Sequence, residues 1–319
     1  MNSTRRAAPL VLSSTATHQR LVERFRAALP RGPGIEAHLA GVVTDVLDHP
    51  GSLARAQLAE AVLAELGPKP AGDLPIAIEL FHTASLLFDD LPAMDDAQFR
   101  RGQPCPHVVY GEAAAILGAL ALINAGYGLL WQTLGPLPAE RRERAAALVN
   151  ECLGLSGVLN GQAQDLHFRE LAADGLTAVE GVAEGKTVSL VRLSLVIPAV
   201  VGGASAAEIA ELEGLSRAWG LAYQGLDDCK DLLLASFEVG KSTARDALLG
   251  RPNLPAAIGW DGALARVQSH LLASGRGLVR LAALRPGWTR LGALQAHLVA
   301  EHQELAERAA AEEHERLCA

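Results

Sequence analysis

Two short segments of this sequence concentrate carboxylates in a way that suits metal chemistry. The first, DDLPAMDDAQFRR, spans residues 89–101 and places four aspartates within eight residues. The second, DDCKD, spans residues 227–231 and lies about 140 residues further along the chain. Hard divalent cations such as Mg²⁺ prefer carboxylate oxygens, and Mg²⁺ keeps coordination positions for water and for the phosphates of a substrate. The two segments together therefore predict a magnesium site.

The second segment has a spacing that suits a metal site on a helix. Asp227 and Asp231 are four residues apart, so on a helix both carboxylates lie on one face, one turn apart. A solvated acidic face would have the same spacing. Neighbouring apolar residues, including Leu221, Leu226 and Leu232, favour the metal site because they are unusual company for a fully solvated face.

The first segment is more ambiguous when it is taken alone. The apolar stretch HTASLLF at 82–88 predicts a helix that leads into Asp89. Asp96 follows Asp89 by seven residues, which is two helical turns if the helix continues past Pro92. Because proline interrupts helices, an acidic surface loop is an equally good interpretation of this segment.

Basic residues near these segments indicate the kind of ligand. Arg100 and Arg101 end the first segment, Lys186 occurs in EGKT, and Lys241 and Arg245 occur in VGKSTARD. Carboxylate-bound Mg²⁺ surrounded by lysine and arginine suits a diphosphate, because the metal bridges its oxygens and the cations bind the outer ones. In this interpretation the carboxylates hold the metal and not the substrate.

The elements that must position these residues are helices. Ala, Leu, Glu and Arg, which form helices readily, are abundant, and alternating runs of Val and Ile are rare. Breaks rich in proline and glycine separate apolar segments of helical length, and no low-complexity linker divides the chain. We therefore predict one all-α domain of roughly ten helices over residues 21–319, after a loose N-terminal tail at 1–20.

Charge and cysteine usage exclude several classes of protein. The net charge of −8 gives no field that would attract nucleic acid or an anionic membrane, so no nucleic-acid partner is expected. The four cysteines form no CxxC pair, which argues against a zinc site or a disulfide framework. The apolar patch near the N-terminus is too short for a signal peptide. We expect a cytoplasmic protein, with an organelle transit peptide as the alternative.

One stretch is long enough to be tested as a membrane span. Residues 113–131, AAAILGALALINAGYGLLW, run for 19 residues without a charge. Asn124, several small residues and the lack of a second such segment favour a helix that is buried on all sides within the protein. We therefore predict no membrane span.

The motifs resemble those of the trans-isoprenyl diphosphate synthases, the polyprenyl synthetase family, from about residue 50 to 255. DDLPAMDD followed by RRGQPCPH resembles the first aspartate-rich motif of the family in its bacterial form. YQGLDDCKD resembles the second, with Tyr223 where phenylalanine is commoner, and GKT at 185–187 and NGQAQDL at 160–166 fit their expected places. YGEAAAIL and ALINAGYGLL are similar to the geranylgeranyl diphosphate synthases of carotenoid pathways.

The resemblance implies an isoprenoid synthase fold, which is an all-α bundle around a deep central cavity, with three Mg²⁺ ions per active site and a homodimeric assembly. It also implies a reaction. Metal and cations draw diphosphate from an allylic substrate, the double bond of isopentenyl diphosphate attacks the resulting carbocation, and a proton is lost to the diphosphate. A magnesium-dependent prenyltransferase is therefore the first hypothesis.

The resemblance also implies roles for individual residues. The metal ligands would be Asp89, Asp90, Asp95, Asp96, Asp227, Asp228 and Asp231. The allylic diphosphate would be bound by Arg100, Lys186 and Lys241, and isopentenyl diphosphate by Arg55, His82 and Arg101. The oxygens of Thr187 and Gln224 would face the carbocation, so the catalytic set is Lys186, Thr187, Gln224 and Asp227. Taken alone, His82 and Gln224 would be ordinary buried side chains, and Lys186 an ordinary surface charge.

The sequence departs from the family pattern where isopentenyl diphosphate would bind. The family carries GGKxxR there, whereas this chain reads HPGSLARAQ, so Gly51 and Arg55 fit but Ser52 replaces the lysine. A charge-assisted contact is worth about 1.5–3 kcal/mol, so isopentenyl diphosphate is expected to bind about ten- to a hundred-fold more weakly. A second departure keeps the positive charge, with Arg251 and Asn253 where lysine and threonine are usual.

Two alternatives to the first hypothesis follow. An ionising enzyme that no longer condenses with isopentenyl diphosphate, such as a terpene synthase, a diphosphate lyase or an enzyme that uses a different acceptor, would need the aspartate segments but not the lysine missing at Ser52. A non-catalytic subunit that tunes another synthase would need no metal ligands, so both aspartate segments argue against it.

Product length is predicted from the helix that carries Asp89. A chain growing away from the metal would pass Ser85 and Ala84, which lie about 6–7.5 Å deeper along the helix at 1.5 Å per residue. In the family a bulky aromatic residue at these positions stops growth near fifteen carbons. Because both residues are small here, we predict geranylgeranyl diphosphate as the product, with farnesyl diphosphate as the alternative.

Overall fold

The computed structural model describes residues 14–67, 72–171, 175–237 and 251–318. The described chain is almost entirely helical, which confirms the predicted all-α class. By its internal packing it divides into two compact units. The first comprises the residues up to 145 together with 198–203, and the second comprises 146–197 and the residues from 204 onward.

The first unit contains the helices that lead to and follow the first aspartate segment. They are α1 (Thr15–Arg26), α2 (Ala37–Asp48), α3 (Ala54–Glu65), α4 (Leu74–Asp89), α5 (Pro106–Tyr110) and α6 (Glu112–Leu134). A short antiparallel hairpin of β1 (Phe99–Arg100) and β2 (Gln103–Pro104) separates α4 from α5. Two further helices, α7 (Ala139–Leu153) and α10 (Ser189–Gly202), contribute residues to both units.

The second unit contains the helices around the second aspartate segment. They are α8 (Val158–Leu166), α9 (Gly175–Ala183), α11 (Ala206–Phe237), α12 (Leu254–Ile258), α13 (Trp260–Leu284) and α14 (Gly292–Cys318). A single π-helical turn, Glu184–Val188, joins α9 to α10. The predicted Lys241 and Arg245 fall outside the described residues.

Each unit has its own apolar core. In the first unit Phe25 of α1, Leu47 of α2, Leu80 of α4 and Leu122 of α6 are almost completely buried in one cluster. Burying a side chain of this size contributes about 1.5–3 kcal/mol, so this cluster fixes α4 against its neighbours. In the second unit Trp219 of α11 is the largest fully buried side chain. Its indole N–H donates to Gln295 of α14 at 2.7 Å, so burial leaves no donor unsatisfied.

Helix α4 ends at Asp89, and this answers the question that Pro92 raised. The chain turns back at once, because the backbone N–H of Asp95 donates to the carbonyl of Asp89 at 3.0 Å. The N–H of Ala97 likewise donates to the carbonyl of Asp90 at 3.1 Å. These bonds satisfy carbonyls that the ended helix leaves open. The helix therefore does not continue to Asp96, and the two-turn spacing does not apply.

The start of the chain differs from the predicted tail. Helix α1 begins at Thr15, inside the segment 1–20 that was expected to be loose. Ser14 caps it, since its side chain accepts a hydrogen bond from the backbone N–H of Thr17. Leu21 and Phe25 then anchor the helix in the core. The prediction missed the start of this helix because residues 15–20 contain no acidic residue and no apolar residues at helical spacing.

Helix α6 is not buried on all sides, which corrects the prediction for residues 113–131. Only 39% of its most apolar stretch is buried, and Leu117, Leu120 and Trp131 are each at least half exposed. The described chain also has a second helical run that is long and apolar enough to cross a membrane, Gly175–Gly202, of which 83% is buried. The argument from the lack of a second such segment was therefore wrong.

Candidate active site

The first aspartate segment is held by an arginine of its own hairpin. Arg100 donates from Nε to both carboxylate oxygens of Asp90, at 2.8 and 2.9 Å, and its Nη2 lies 2.6 Å from Oδ1. The same Nη2 is 3.9 Å from the carboxylate of Asp89. Asp90 is almost completely buried, whereas Asp89, Asp95 and Asp96 are partly exposed. Asp90 is thus committed to Arg100, and its three neighbours are the more accessible carboxylates.

The hairpin turn explains how Arg100 and its neighbour Arg101 reach their positions. Arg101 and Gly102 form a two-residue turn with φ angles of 54° and 81°. Positive φ at both central positions is the pattern of a type I′ turn, which favours glycine at the second position. The guanidinium of Arg101 lies directly over the Cα of Gly51, where a Cβ would collide with it. The φ of 66° favours glycine at position 51, and a side chain there would also have to displace the guanidinium of Arg101.

His82 lies within the field of three arginines in the same unit. It is 6% exposed, and its Nδ1 is buried without a hydrogen-bond partner in the described part of the chain. Burial, followed by the charges of Arg55, Arg101 and Arg100, lowers the pKa of His82 well below its usual value. The imidazole is therefore neutral at neutral pH and can donate one N–H to an anion.

A buried glutamate supports this group of cations. Glu79 lies one turn before His82 on α4 and is 3% exposed. Its Oε2 accepts a hydrogen bond from the backbone N–H of Ala56 at 2.9 Å, which ties α4 to the first turn of α3. Burial raises the pKa of Glu79, against the opposing charges of Arg55 and Arg101 and the hydrogen bond from Ala56. Sequence reasoning assigned Glu79 no role, although it lies three residues before His82.

In the second unit, Lys186 is paired with a carboxylate. Its Nζ lies 2.9 Å from Oδ2 of Asp165, which is nearly buried on α8. Arg251 reaches the same oxygen at 3.9 Å and is itself largely buried. Asp165 belongs to the NGQAQDL motif, but sequence reasoning gave it no role. The position of Arg251 shows that the second departure from the family pattern keeps a cation beside Lys186.

The π-helical turn that carries Lys186 rests on a glycine contact. Gly161 of α8 faces Gly185 so closely that a Cβ on either residue would collide with the backbone of the other. Such turns are frequent at functional sites because they redirect side chains that an α-helix would space evenly. Here the turn presents Lys186 and the nearly buried Thr187 in succession.

A chain of hydrogen bonds runs inward from Thr187. Its hydroxyl donates to Oε1 of Gln224 at 2.7 Å, and Nε2 of Gln224 donates to Oδ1 of Asp228 at 2.9 Å. The other oxygen of Asp228 accepts the backbone N–H of Leu254 at 2.8 Å. Asp228 is buried, whereas Asp227 and Asp231 on the same helix are partly exposed. The structure therefore separates Asp228 from the two aspartates that share a helix face.

The predicted metal ligands suit Mg²⁺ by their chemistry. All are carboxylates, and Mg²⁺ prefers oxygen ligands. Among the described residues, no group of three or more His, Cys, Asp or Glu side chains is close enough to hold a metal ion. The two aspartate segments belong to different compact units, 89–96 to the first and 227–231 to the second. That they share metal ions remains a prediction.

The predicted product-length residues differ in their surroundings. Ala84 is buried in the core of the first unit, and Ser85 is partly buried with its hydroxyl donating to the carbonyl of His82 at 2.7 Å. Phe81 lies three residues before Ala84, about one turn closer to the start of α4, and its ring meets that of Tyr127 edge-on at 5.0 Å.

A separate groove lies between α13 and α14, with a volume of about 880 Å³. None of the predicted site residues lines it. Its walls include Leu272, Val279 and His302, and it contains neither of the aspartate segments.

The sequence profile of the polyprenyl synthetase family matches residues 36–273 of this chain. The chain belongs to the polyprenyl synthetase family. This confirms the resemblance inferred from the aspartate motifs, and the matched range includes both of them.

Individual relatives agree with the family. The chain is 35% identical over 185 residues to the chloroplastic geranylgeranyl pyrophosphate synthase of Catharanthus roseus, covering 58% of this chain and 52% of the relative. It is 36% identical over 201 residues to the geranylgeranyl diphosphate synthase of Pseudescherichia vulneris, covering 62% of each. The chain thus spans about half the length of the curated plant relatives it matches.

Solved structures share the fold. The geranyltransferase of Helicobacter pylori, in a structure with magnesium and isoprenyl diphosphate, superimposes with a TM-score of 0.71 at 27% sequence identity. The match covers 93% of this chain and 99% of the other.

Proposed function

We propose that this protein is a magnesium-dependent prenyltransferase that condenses an allylic diphosphate with isopentenyl diphosphate. The observation that carries the proposal is the presence, in a member of this family, of both aspartate segments together with cations for two diphosphates. A lysine beside a buried carboxylate and a group of arginines around His82 are the two sets of cations.

Magnesium would be held by the more accessible carboxylates, namely Asp89, Asp95, Asp96, Asp227 and Asp231. When bound, Mg²⁺ would supply Lewis-acid stabilisation of the charge that develops on a departing diphosphate. The residues of the chain do the rest. Lys186, Arg100 and Lys241 bind the outer oxygens of the allylic diphosphate and orient its C–O bond for cleavage.

Breaking that C–O bond leaves an allylic carbocation and a free diphosphate. The oxygens of Thr187 and Gln224 stabilise the cation through their dipoles, since both are preorganised by the hydrogen bond between them. The double bond of isopentenyl diphosphate then forms the new carbon–carbon bond. Loss of a proton to an oxygen of the departed diphosphate restores a neutral hydrocarbon chain on the new diphosphate.

Isopentenyl diphosphate binds to the cations of the first unit. Arg55 and Arg101 supply the charge, and neutral His82 donates a hydrogen bond from a nearly buried position. These three residues remain although Ser52 replaces the usual lysine, and they favour a condensing enzyme over one that only ionises its substrate. Serine in place of lysine at position 52 weakens the isopentenyl diphosphate subsite, and this one feature favours the ionising alternative.

The product is geranylgeranyl diphosphate in this proposal. Ala84 and Ser85 are too small to stop a growing chain, and the aromatic pair Phe81 and Tyr127 supplies the next bulky wall. Phe81 lies eight residues before Asp89, which is about 12 Å along the helix at 1.5 Å per residue. Farnesyl diphosphate, the shorter alternative, would require an earlier stop.

The assembly in this proposal is a homodimer. Helix α6 exposes Leu117, Leu120 and Trp131 on one helix face, with Leu117 and Leu120 adjacent and Trp131 about three turns further along. Apolar surface of this kind marks an interaction site when it is contiguous. A second copy of the chain offers an equally apolar stripe, as a two-fold interface requires.

The proposal is tested by incubating the protein with Mg²⁺, farnesyl diphosphate and isotopically labelled isopentenyl diphosphate, and identifying the products by mass. A labelled twenty-carbon diphosphate is the expected product, and Asp227→Asn should make much less of it at the Mg²⁺ concentration that saturates the wild type. Release of diphosphate with an unlabelled hydrocarbon or alcohol would favour the ionising alternative. Turnover that requires an added synthase would favour a partner subunit.

A further inference from the structure

The interior position of Asp228 gives it surroundings unlike those of the other aspartates in its segment. Asp227 and Asp231 share a face of α11, whereas Asp228 is rotated by about 100° around the helix from Asp227. Asp228 is only 5% exposed. Its Oδ1 accepts from Gln224 and its Oδ2 from the backbone N–H of Leu254. Both carboxylate oxygens therefore already have protein donors.

These contacts fix the direction of every hydrogen bond in the chain that leads to Thr187. A backbone N–H can only donate, and a carboxylate accepts, so the amide of Gln224 must turn its NH₂ towards Asp228. Its Oε1 must then face Thr187, and the hydroxyl of Thr187 becomes the donor at 2.7 Å. A hydroxyl that has given its hydrogen to Gln224 keeps its lone pairs as acceptors.

The fixed direction matters for a reaction that passes through a carbocation. An oxygen whose hydrogen points away stabilises positive charge, whereas one whose hydrogen points towards the cation destabilises it. The orientation of the Thr187 hydroxyl and the Gln224 amide thus depends on an acceptor at the end of this series of hydrogen bonds furthest from Thr187. Asp228 is that acceptor, and the backbone of Leu254 holds it in place.

We propose that Asp228 is a positioning residue and not a magnesium ligand: it orients the amide of Gln224, and through it the hydroxyl of Thr187, so that both oxygens face the allylic cation. This inference rests on the proposed function for the cation. That Asp228 is not a metal ligand rests on its burial together with its two protein donors.

The first experiment needs no turnover. Wild type, Asp228→Asn and the matched variant Asp227→Asn are titrated with Mg²⁺ in the presence of inorganic diphosphate, and the melting temperature is followed. Asp228→Asn should keep the wild-type half-saturating Mg²⁺ concentration, whatever its own melting temperature. Asp227→Asn should need about ten-fold more Mg²⁺, as expected when one charged ligand is lost. An equal rise in both variants would overturn the inference.

The second experiment measures steady-state turnover. In Asp228→Asn the new amide can donate to Gln224, which permits the reversed amide and a reversed Thr187 hydroxyl. We expect kcat to fall about 100-fold, the size found when one preorganised catalytic dipole is lost, with little change in the KM for the allylic diphosphate. Unchanged kcat would contradict the inference.

A double variant separates positioning from a structural role. If Asp228 acts through Gln224, then Gln224→Ala together with Asp228→Asn should be no slower than Gln224→Ala alone. Multiplied losses in the double variant would show that Asp228 acts independently. Failure of the wild type to make any prenyl product would refute the proposed function, and the Mg²⁺ titration would still decide the metal role of Asp228.

Discussion

Ser52 lies beside Gly51, over which the guanidinium of Arg101 is held, and three residues before Arg55. The structure thus has two guanidinium groups where the family pattern would add an ammonium group. A serine hydroxyl cannot supply the missing charge, so in the proposed function the remaining cations bind isopentenyl diphosphate with one contact fewer. Glu79 tightens this arrangement by fixing the start of α3, which carries Arg55.

Replacing Ser52 with the lysine of the family pattern should strengthen the binding of isopentenyl diphosphate but not that of the allylic diphosphate. We expect Ser52→Lys to lower the KM for isopentenyl diphosphate about ten-fold, because a charge-assisted contact is worth about 1.5–3 kcal/mol. The KM for the allylic diphosphate should not change. Ser52→Gln, which adds length without charge, is the control, and an equal effect in both variants would contradict this explanation.

At the residue scale, the sequence identified the types and the spacing of the candidate site residues but not the groups to which they hydrogen-bond. Asp227 and Asp231 could be paired from their spacing, because helical periodicity alone decides which residues share a face. The burial of Asp228 could not be predicted in this way, because it depends on a contact with Leu254 of another helix. The bond from Arg100 to Asp90 likewise depends on a hairpin turn with positive φ at Arg101, which no local pattern announced.

At the element scale, two features position Lys186 and Thr187. The π-helical turn Glu184–Val188 presents Lys186 and Thr187, and α8 supports it through the contact of Gly161 with Gly185. Helix content was predictable because helix-forming residues and breakers are local signals. The π-helical turn was not, because it is stabilised by a backbone contact between segments distant in sequence.

Adding one methyl group at the glycine contact should disturb catalysis. In Gly161→Ala the new Cβ would collide with the backbone of Gly185 and Lys186, so α8 must move away from the turn. We expect a loss of about 1–3 kcal/mol in the free energy of unfolding, as overpacking typically costs, and a kcat at least ten-fold lower. Denaturant unfolding and steady-state assays measure the two effects.

Gly181→Ala provides the matched control, because Gly181 is also helical and a Cβ there meets no atom within 4 Å. It should leave kcat unchanged and slightly raise stability, since alanine favours helices over glycine by about 1 kcal/mol. Equal behaviour of the two variants would show that the contact between α8 and the π-helical turn has no role.

At the scale of the whole molecule, helix α6 shows why the burial of a helix cannot be fully predicted from the sequence of one chain. The sequence could identify an uncharged helix of 19 residues but not which face another element covers. Within one chain, α6 packs on α4 and leaves Leu117, Leu120 and Trp131 exposed. In the proposed homodimer a second copy of the chain covers this face.

A charge in this stripe should prevent dimerisation. We expect the wild type to elute at twice the chain mass in size-exclusion chromatography with light scattering, and Leu120→Glu to elute as a monomer, because a carboxylate cannot be buried there without a partner. Val279→Glu, at a more exposed apolar residue of α13, should stay dimeric. A monomeric wild type, or a dimeric Leu120→Glu, would remove the support for this interface.

Magnesium held jointly by two distant aspartate segments is the claim on which the proposed chemistry depends. The most direct test is a Mg²⁺ titration of inorganic diphosphate release from the allylic substrate, for the wild type, Asp89→Asn and Asp227→Asn. We predict that EDTA abolishes release and that each variant raises the half-saturating Mg²⁺ concentration at least ten-fold, as the loss of one charged contact would. Release that persists in EDTA, or variants that titrate like the wild type, would contradict the claim.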